Sequence, residues 1–162
     1  FLVAASCMSV FVTVASDPSH SPIGRVNRSN MSQETLMELL VHDLVDASKI
    51  RDGVGWENIT VDEENRIVAI DWSVMMLQGT IHLKYVPLTV REFEASWNSL
   101  AGTLSTQVLP DVMEILNFAL NSLTGAIDLT ALPQSMKELI LSNNGFSSSI
   151  DLRCLPKNLQ RL

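Results

Sequence analysis

Everything after residue 64 is written in a 23-residue period, and that period constrains the fold more than any other feature of the chain. Residues 65–87 (NRIVAIDWSVMMLQGTIHLKYVP), 88–110 (LTVREFEASWNSLAGTLSTQVLP), 111–133 (DVMEILNFALNSLTGAIDLTALP) and 134–156 (QSMKELILSNNGFSSSIDLRCLP) align without a gap, and KNLQRL begins a fifth copy. Pro87, Pro110, Pro133 and Pro156 fall in one column, and Ile70, Phe93, Leu116, Leu139 and Leu162 in another. Gly79, Gly102 and Gly125 form a third. Self-similarity at a fixed period of this length predicts a solenoid.

The apolar columns say how each unit bends. Ile70 with Trp72, Phe93 with Ala95, Leu116 with Phe118 and Leu139 with Leu141 alternate as short strands. Leu77, Leu100, Leu123 and Phe146 follow, then Ile81, Leu104, Ile127 and Ile150, then Val86, Leu109, Leu132 and Leu155. Steps of two, five and four residues fit neither a helix nor a long strand. They suit a coil that turns several corners and sends one apolar side chain inward at each. One coil buries too little apolar surface to offset the entropy of ordering it, so coils must stack into a continuous core.

A polar column runs through the same units: Asn98, Asn121 and Asn144, with Met75 in the first. An inward amide at a bend is expected to bond backbone groups of its own coil and the next, forming a structural ladder.

These residues carry a resemblance. The pattern xxLxxLxLxxNxLtGxIdLtxLP is similar to extracellular leucine-rich repeats, and its LxGxI segment to the plant type. The resemblance implies an α/β solenoid, a right-handed superhelix with short parallel strands on its concave face and a helical N-terminal cap. The chain departs from the family in placing Asp128 and Asp151 where plant repeats have proline, and Ser148 where they have the glycine. The chain resembles plant receptor ectodomains and also the surface repeat proteins of kinetoplastids, whose caps likewise vary.

Residues 32–64 resemble the cap. Ser32 reads as an N-cap with Glu34 in the first turn, and Leu36, Met37, Leu40, Val41, Leu44, Val45 and Ala47 mark an apolar helical face reaching about Lys49. His42 falls on the opposite, solvated side. Trp56, Ile59, Val61 and Asp62 followed by Arg66 and Ile67 are similar to the plant-type cap motif, with Asn58 for its glycine and Val61 for its cysteine. The cap disulfide of the family is therefore absent, and packing of Trp56, Ile59 and Val61 is expected to seal the core.

Before the cap, residues 1–16 are apolar and uncharged, and shorter than the ~20 residues of a spanning helix. A secretory signal ending at Val14-Ala15-Ser16, a truncated membrane anchor and a buried strand all fit that segment. With no Met or basic stretch before Phe1, the chain is expected to begin inside a longer one. Residues 17–31 read as a polar linker. Sequons place possible glycosylation at Asn27, Asn30 and Asn58. Repeats fill 65–162, and Leu162 is expected to belong to an unfinished fifth coil of a fragment.

The net charge of −7 argues against nucleic acid and against anionic membrane surfaces. Only Cys7 and Cys154 exist, so no disulfide framework is expected, and Cys154 should be packed and inert. His20, His42 and His82 have no metal-ligand spacing, and no Gly-rich phosphate loop follows a strand. No cofactor, metal or catalytic residue is expected.

The candidates for binding are outward strand positions and the turn after them: Asp71, Val74, Glu92, Glu94, Trp97, Asn117, Leu120, Glu138, Ile140 and Asn143. Val74, Trp97 and Leu120 form an exposed apolar column beside acids, a composition suited to a basic or amphipathic protein or peptide. Three functions remain open on this reading. They are a non-enzymatic recognition module of a secreted or cell-surface protein, a structural or adhesive coat component, and the ectodomain of a receptor kinase attached to the membrane beyond residue 162.

Overall fold

The computed structural model describes residues 28–53 and 55–162. Residues 1–27, with the signal-like segment, most of the linker and Asn27, lie outside the described residues.

Helix α1 (Gln33–Val41) starts where Ser32 Oγ accepts the Thr35 amide at 3.1 Å, and it buries Leu36, Met37, Leu40 and Val41. It stops earlier than the apolar stripe suggested. Asp43–Leu44 instead forms β1, and Val45 is exposed. The reason is tertiary. β1 pairs antiparallel with β4 (Gln78–Thr80), and the His82 amide donates to the Leu40 carbonyl at the helix end. Continuing the helix would leave that edge unpaired.

Two sheets then build in parallel along the stack. β2 (Ile59–Val61), β3 (Ile67–Asp71), β5 (Glu92–Glu94), β7 (Ile115–Asn117) and β9 (Glu138–Ile140) make the first, antiparallel at β2–β3 and parallel thereafter. Its register places Ile70, Phe93, Leu116 and Leu139 side by side, as the 23-residue column requires. The second sheet runs β1–β4, then β6 (Ser99–Thr103), β8 (Ser122–Gly125) and β10 (Gly145–Phe146). The sequence did not suggest it, because these segments are short, rich in Ser, Thr and Gly, and lack an alternating apolar pattern. Its hydrogen bonds follow from stacking alone. Each sheet is closed at its N-terminal edge by an antiparallel strand from the cap, which hides backbone groups that would otherwise recruit another chain.

Between the sheets lies one core. Trp72 meets Phe93 edge-on at 5.5 Å between centroids, and Phe93 meets Phe118 at 5.1 Å. The expected inward columns are buried in the first three coils. In the fourth, at the end of the described stack, Ile150 is 53% exposed and Phe146 and Leu155 are half-buried.

The asparagine amides reach back to the preceding coil rather than forward. Asn121 Oδ1 accepts the Leu100 amide at 3.0 Å, and its Nδ2 donates to the carbonyls of Ala95, Phe118 and Ala119. Asn98 and Asn144 repeat this with Leu77 and Leu123. Asn121→Ala is expected to destabilise the fold by about 1–3 kcal/mol, because several buried backbone groups lose their partner together. A urea titration of the two proteins measures it.

Of the expected apolar seal, Trp56 and Ile59 pack against the core and Val61 does not. Val61 is 42% exposed. Trp56 meets Trp72 in a tilted contact, 6.3 Å between ring centroids, and also donates its indole N–H to Glu34 at 2.9 Å, with Arg51 lying 5.1 Å from its ring centroid. Arg51 in turn binds Glu34 and Glu38. An exposed polar clamp thus joins the packing of Trp56 and Ile59 at the cap. His42 sits just past the helix rather than on it. Asp43 joins it at 2.6 Å to His82 at 2.7 Å, so His82 has a partner that its column did not reveal. The hydrogen bonds from His82 and then His42 hold the Asp43 carboxyl below its ordinary value.

Candidate recognition surface

Because Ile70, Phe93, Leu116 and Leu139 face the core, their strand neighbours face away from it. Cross-strand register sets two files on this open face: Ala69, Glu92, Ile115 and Glu138, then Asp71, Glu94, Asn117 and Ile140. Beside them runs a file of small residues, Ser73, Ser96, Ala119 and Ser142, with the Ser96 hydroxyl donating to that of Ser73 at 3.2 Å.

The turn after each strand holds the fourth file. Val74, Trp97, Leu120 and Asn143 have φ of 59°, 56°, 55° and 56°. The left-handed conformation therefore recurs once per coil. Asn tolerates it, whereas a β-branched residue there is a true outlier. Val74 is 69% exposed and Trp97 64%, with Leu120 half-buried. Main-chain bonds from the Val74 amide to the Ser96 carbonyl, and from Trp97 to Ala119, lock these turns to their neighbours. Met76, two residues after Val74, is likewise exposed with φ of 52°, and the sequence reading did not single it out. Its column otherwise holds Ser99, Ser122 and Gly145, so the oddity was visible in the alignment of the units.

The structure brings all ten expected positions onto this face and its rim, but their charges are not equivalent. Glu138 pairs with Arg161 at 3.6 Å. Glu94 accepts the neutral Asn117 amide at 3.1 Å, and among the described residues the Asp71 carboxylate accepts only the Ser73 amide, at 3.0 Å. Glu92 has no side-chain partner among the described residues. Outside the face, Glu114 receives Lys137 and stands 4.0 Å from Arg91. The hydrogen bond from Lys137, backed by the charges of Lys137 and Arg91, holds its carboxyl below the ordinary value despite desolvation.

Asp128 and Asp151, the recurring acids of the other face, are taken up locally. Thr130 and Gln107 bind Asp128, and Arg153 binds Asp151, whose carboxyl is pulled down to about 2 chiefly by that hydrogen bond. Among the described residues no His, Cys, Asp and Glu cluster is placed to hold a metal ion, and no helix is long and apolar enough to cross a membrane.

No family model and no curated protein matches the chain by sequence. Solved structures do match by fold. The BIR2 ectodomain from Arabidopsis thaliana superposes with a TM-score of 0.66 at 20% identity, covering 80% of this chain and 77% of that one. In the BIR3–SERK2 complex from Arabidopsis thaliana, the score is 0.51 at 18% identity, over 75% of this chain and 87% of that one. Receptor ectodomains of this kind are leucine-rich repeat proteins. The parallel register repeating every 23 residues agrees with these likenesses, and the chain has the fold of a leucine-rich repeat ectodomain.

Proposed function

We propose that this chain is the non-enzymatic recognition module of a secreted or cell-surface protein, holding a protein or peptide on the concave, open face of the β3–β9 sheet and its rim. The observation that carries the reading is the exposed apolar file Val74, Trp97 and Leu120 at left-handed turns. Neither solvation nor backbone preference favours those side chains there, and Asn143 is the residue type that suits the same turn. An aromatic flanked by aliphatics and acids has the composition of an interface centre.

Likeness to receptor ectodomains, one of them in a complex with a second protein, supports a protein partner and an extracellular setting. The cap supports a plant-type assignment: Asn58, standing where such caps have glycine, has a φ of 53°. Asn58 and Asn30 are both exposed, as sequons in use must be.

The test is affinity capture from an extracellular protein and peptide pool on the full chain, against Trp97→Asn as control. Losing an interface aromatic is expected to cost about 2 kcal/mol or more in binding. Partners should therefore be retained by the wild type and lost by the variant. Equal retention by both would refute the assignment of this face.

A further inference from the structure

We infer that the occupant of this face is an extended segment carrying a lysine or arginine next to an apolar side chain, the cation set against Asp71, Glu92 and Glu94 and the apolar group against Val74 and Trp97. The inference rests on the recognition reading above and adds the chemistry of the ligand.

The unpartnered sheet face and its apolar rim define the surface, and charge says what fits it. Asp71 and Glu94 are direct register partners across β3 and β5, and Glu92 lies two residues before Glu94 on the same face. Like charges opposed across strands oppose folding. Among the described residues no cation is paired with them. The cations of the neighbouring files are already engaged, Arg91 and Lys137 with Glu114 and Arg161 with Glu138. What the three carboxylates receive from the described residues is one amide N–H on Asp71 and one neutral side-chain amide on Glu94. Further along the same files the face is neutral, at Ile115, Asn117 and Ile140, or internally paired, at Glu138.

Uncompensated charge and exposed apolar surface therefore coincide in the same two coils. The strand bearing Asp71 ends at the Val74 turn, and the strand bearing Glu92 and Glu94 ends at the Trp97 turn. A long basic side chain suits both at once. Its aliphatic stem lies on apolar surface while its cation reaches carboxylates, and the Trp97 ring offers a further cation–π contact. An acidic segment would be repelled. An uncharged one would strip water from three carboxylates without replacing it. The chain's net charge of −7 steers a basic partner toward it at long range.

Panning a random dodecapeptide phage library on the full chain tests this, with Trp97→Asn and the double variant Glu92→Gln/Glu94→Gln as comparisons. Circular-dichroism melts confirm that each is folded. Peptides enriched on the wild type are expected to carry Lys or Arg beside an apolar residue. Their affinity should fall about tenfold on the double variant and weaken as salt is raised. Enriched peptides without basic residues, indifferent to the double variant but lost on Trp97→Asn, would overturn the basic-ligand inference and leave the surface standing. Peptides indifferent to both variants, or no enrichment above Trp97→Asn, would overturn the surface as well.

Discussion

Phe93→Ala is expected to destabilise the solenoid by about 3–5 kcal/mol, the range for removing a large aromatic from a packed core. Phe93 is fully buried in the second coil and touches rings on both sides, Trp72 below and Phe118 above. Its loss opens a cavity at the one place where three successive coils meet through aromatic edges. The β3–β5–β7 pairing fixes the backbone on either side, so the walls cannot collapse to fill the space. Phe93→Leu keeps most of the volume and should cost less than about 1.5 kcal/mol. Urea unfolding of the two variants measures both, and near-ultraviolet dichroism should report a loosened Trp72 only in the first.

Gly79→Ala should be nearly as severe, at about 3 kcal/mol, from a different cause. Gly79 has φ of +107° and lies in β4, where a Cβ would stand 2.2 Å from the Asp43 carbonyl oxygen and 2.9 Å from Leu44 Cα. Backbone strain of roughly 1–3 kcal/mol adds to a clash that only displacement of β1 can relieve. The cap would lift from the second sheet. Amide exchange should then accelerate at Val45 and His82, whose N–H groups bond Gln78 and Leu40. Gly102→Ala is the control. Its Cβ meets only the Thr80 side chain at 3.2 Å, so the strain of its φ of +96° remains but no strand must move. Similar losses in the two variants would contradict this account of the junction.

The contrast between these glycines explains how much the sequence could reveal. One column of the alignment contains Gly79, Gly102 and Gly125, and their shared conformation follows from their shared place in the coil. What differs is the neighbour, and Gly79 alone packs on β1, which local signals hid inside an apparent helix. Leu44 and Val45 continue the apolar stripe of α1 in sequence, yet pairing with β4 takes priority over helix extension. Repetition made the core legible, because an error in one coil would have shown as a break in a column. The cap and the second sheet were less so: the cap does not repeat, and the columns of the second sheet, Leu100 with Leu123 and Gly79 with Gly102 and Gly125, show a corner of the coil without announcing a strand. Ser148 shows the limit within the repeat: it stands in the glycine column with φ of +99°, keeping the fold's geometry without the residue that suits it.

On the open face the legible part was position, and the illegible part was charge pairing. Outward residues follow from strand alternation, so Glu92, Glu94 and Glu138 were placed together. That Glu138 is answered by Arg161 while Glu92 is not depends on which coil stands next, and on rotamers that no spacing encodes. The left-handed turn was invisible for a similar reason. Nothing in Val74, Trp97 or Leu120 announces it, since their side chains are poor choices for that backbone.

That mismatch makes the melting temperature of Val74→Asn the most direct test of what keeps apolar groups on this rim. If recognition rather than folding holds them there, the variant should melt at the same temperature or higher. It relieves a β-branched residue at φ of 59° and gives up little buried surface, since Val74 is 69% exposed. A lower melting temperature would mean that Val74 serves the fold, and the reading of this rim as a recognition surface would lose its support.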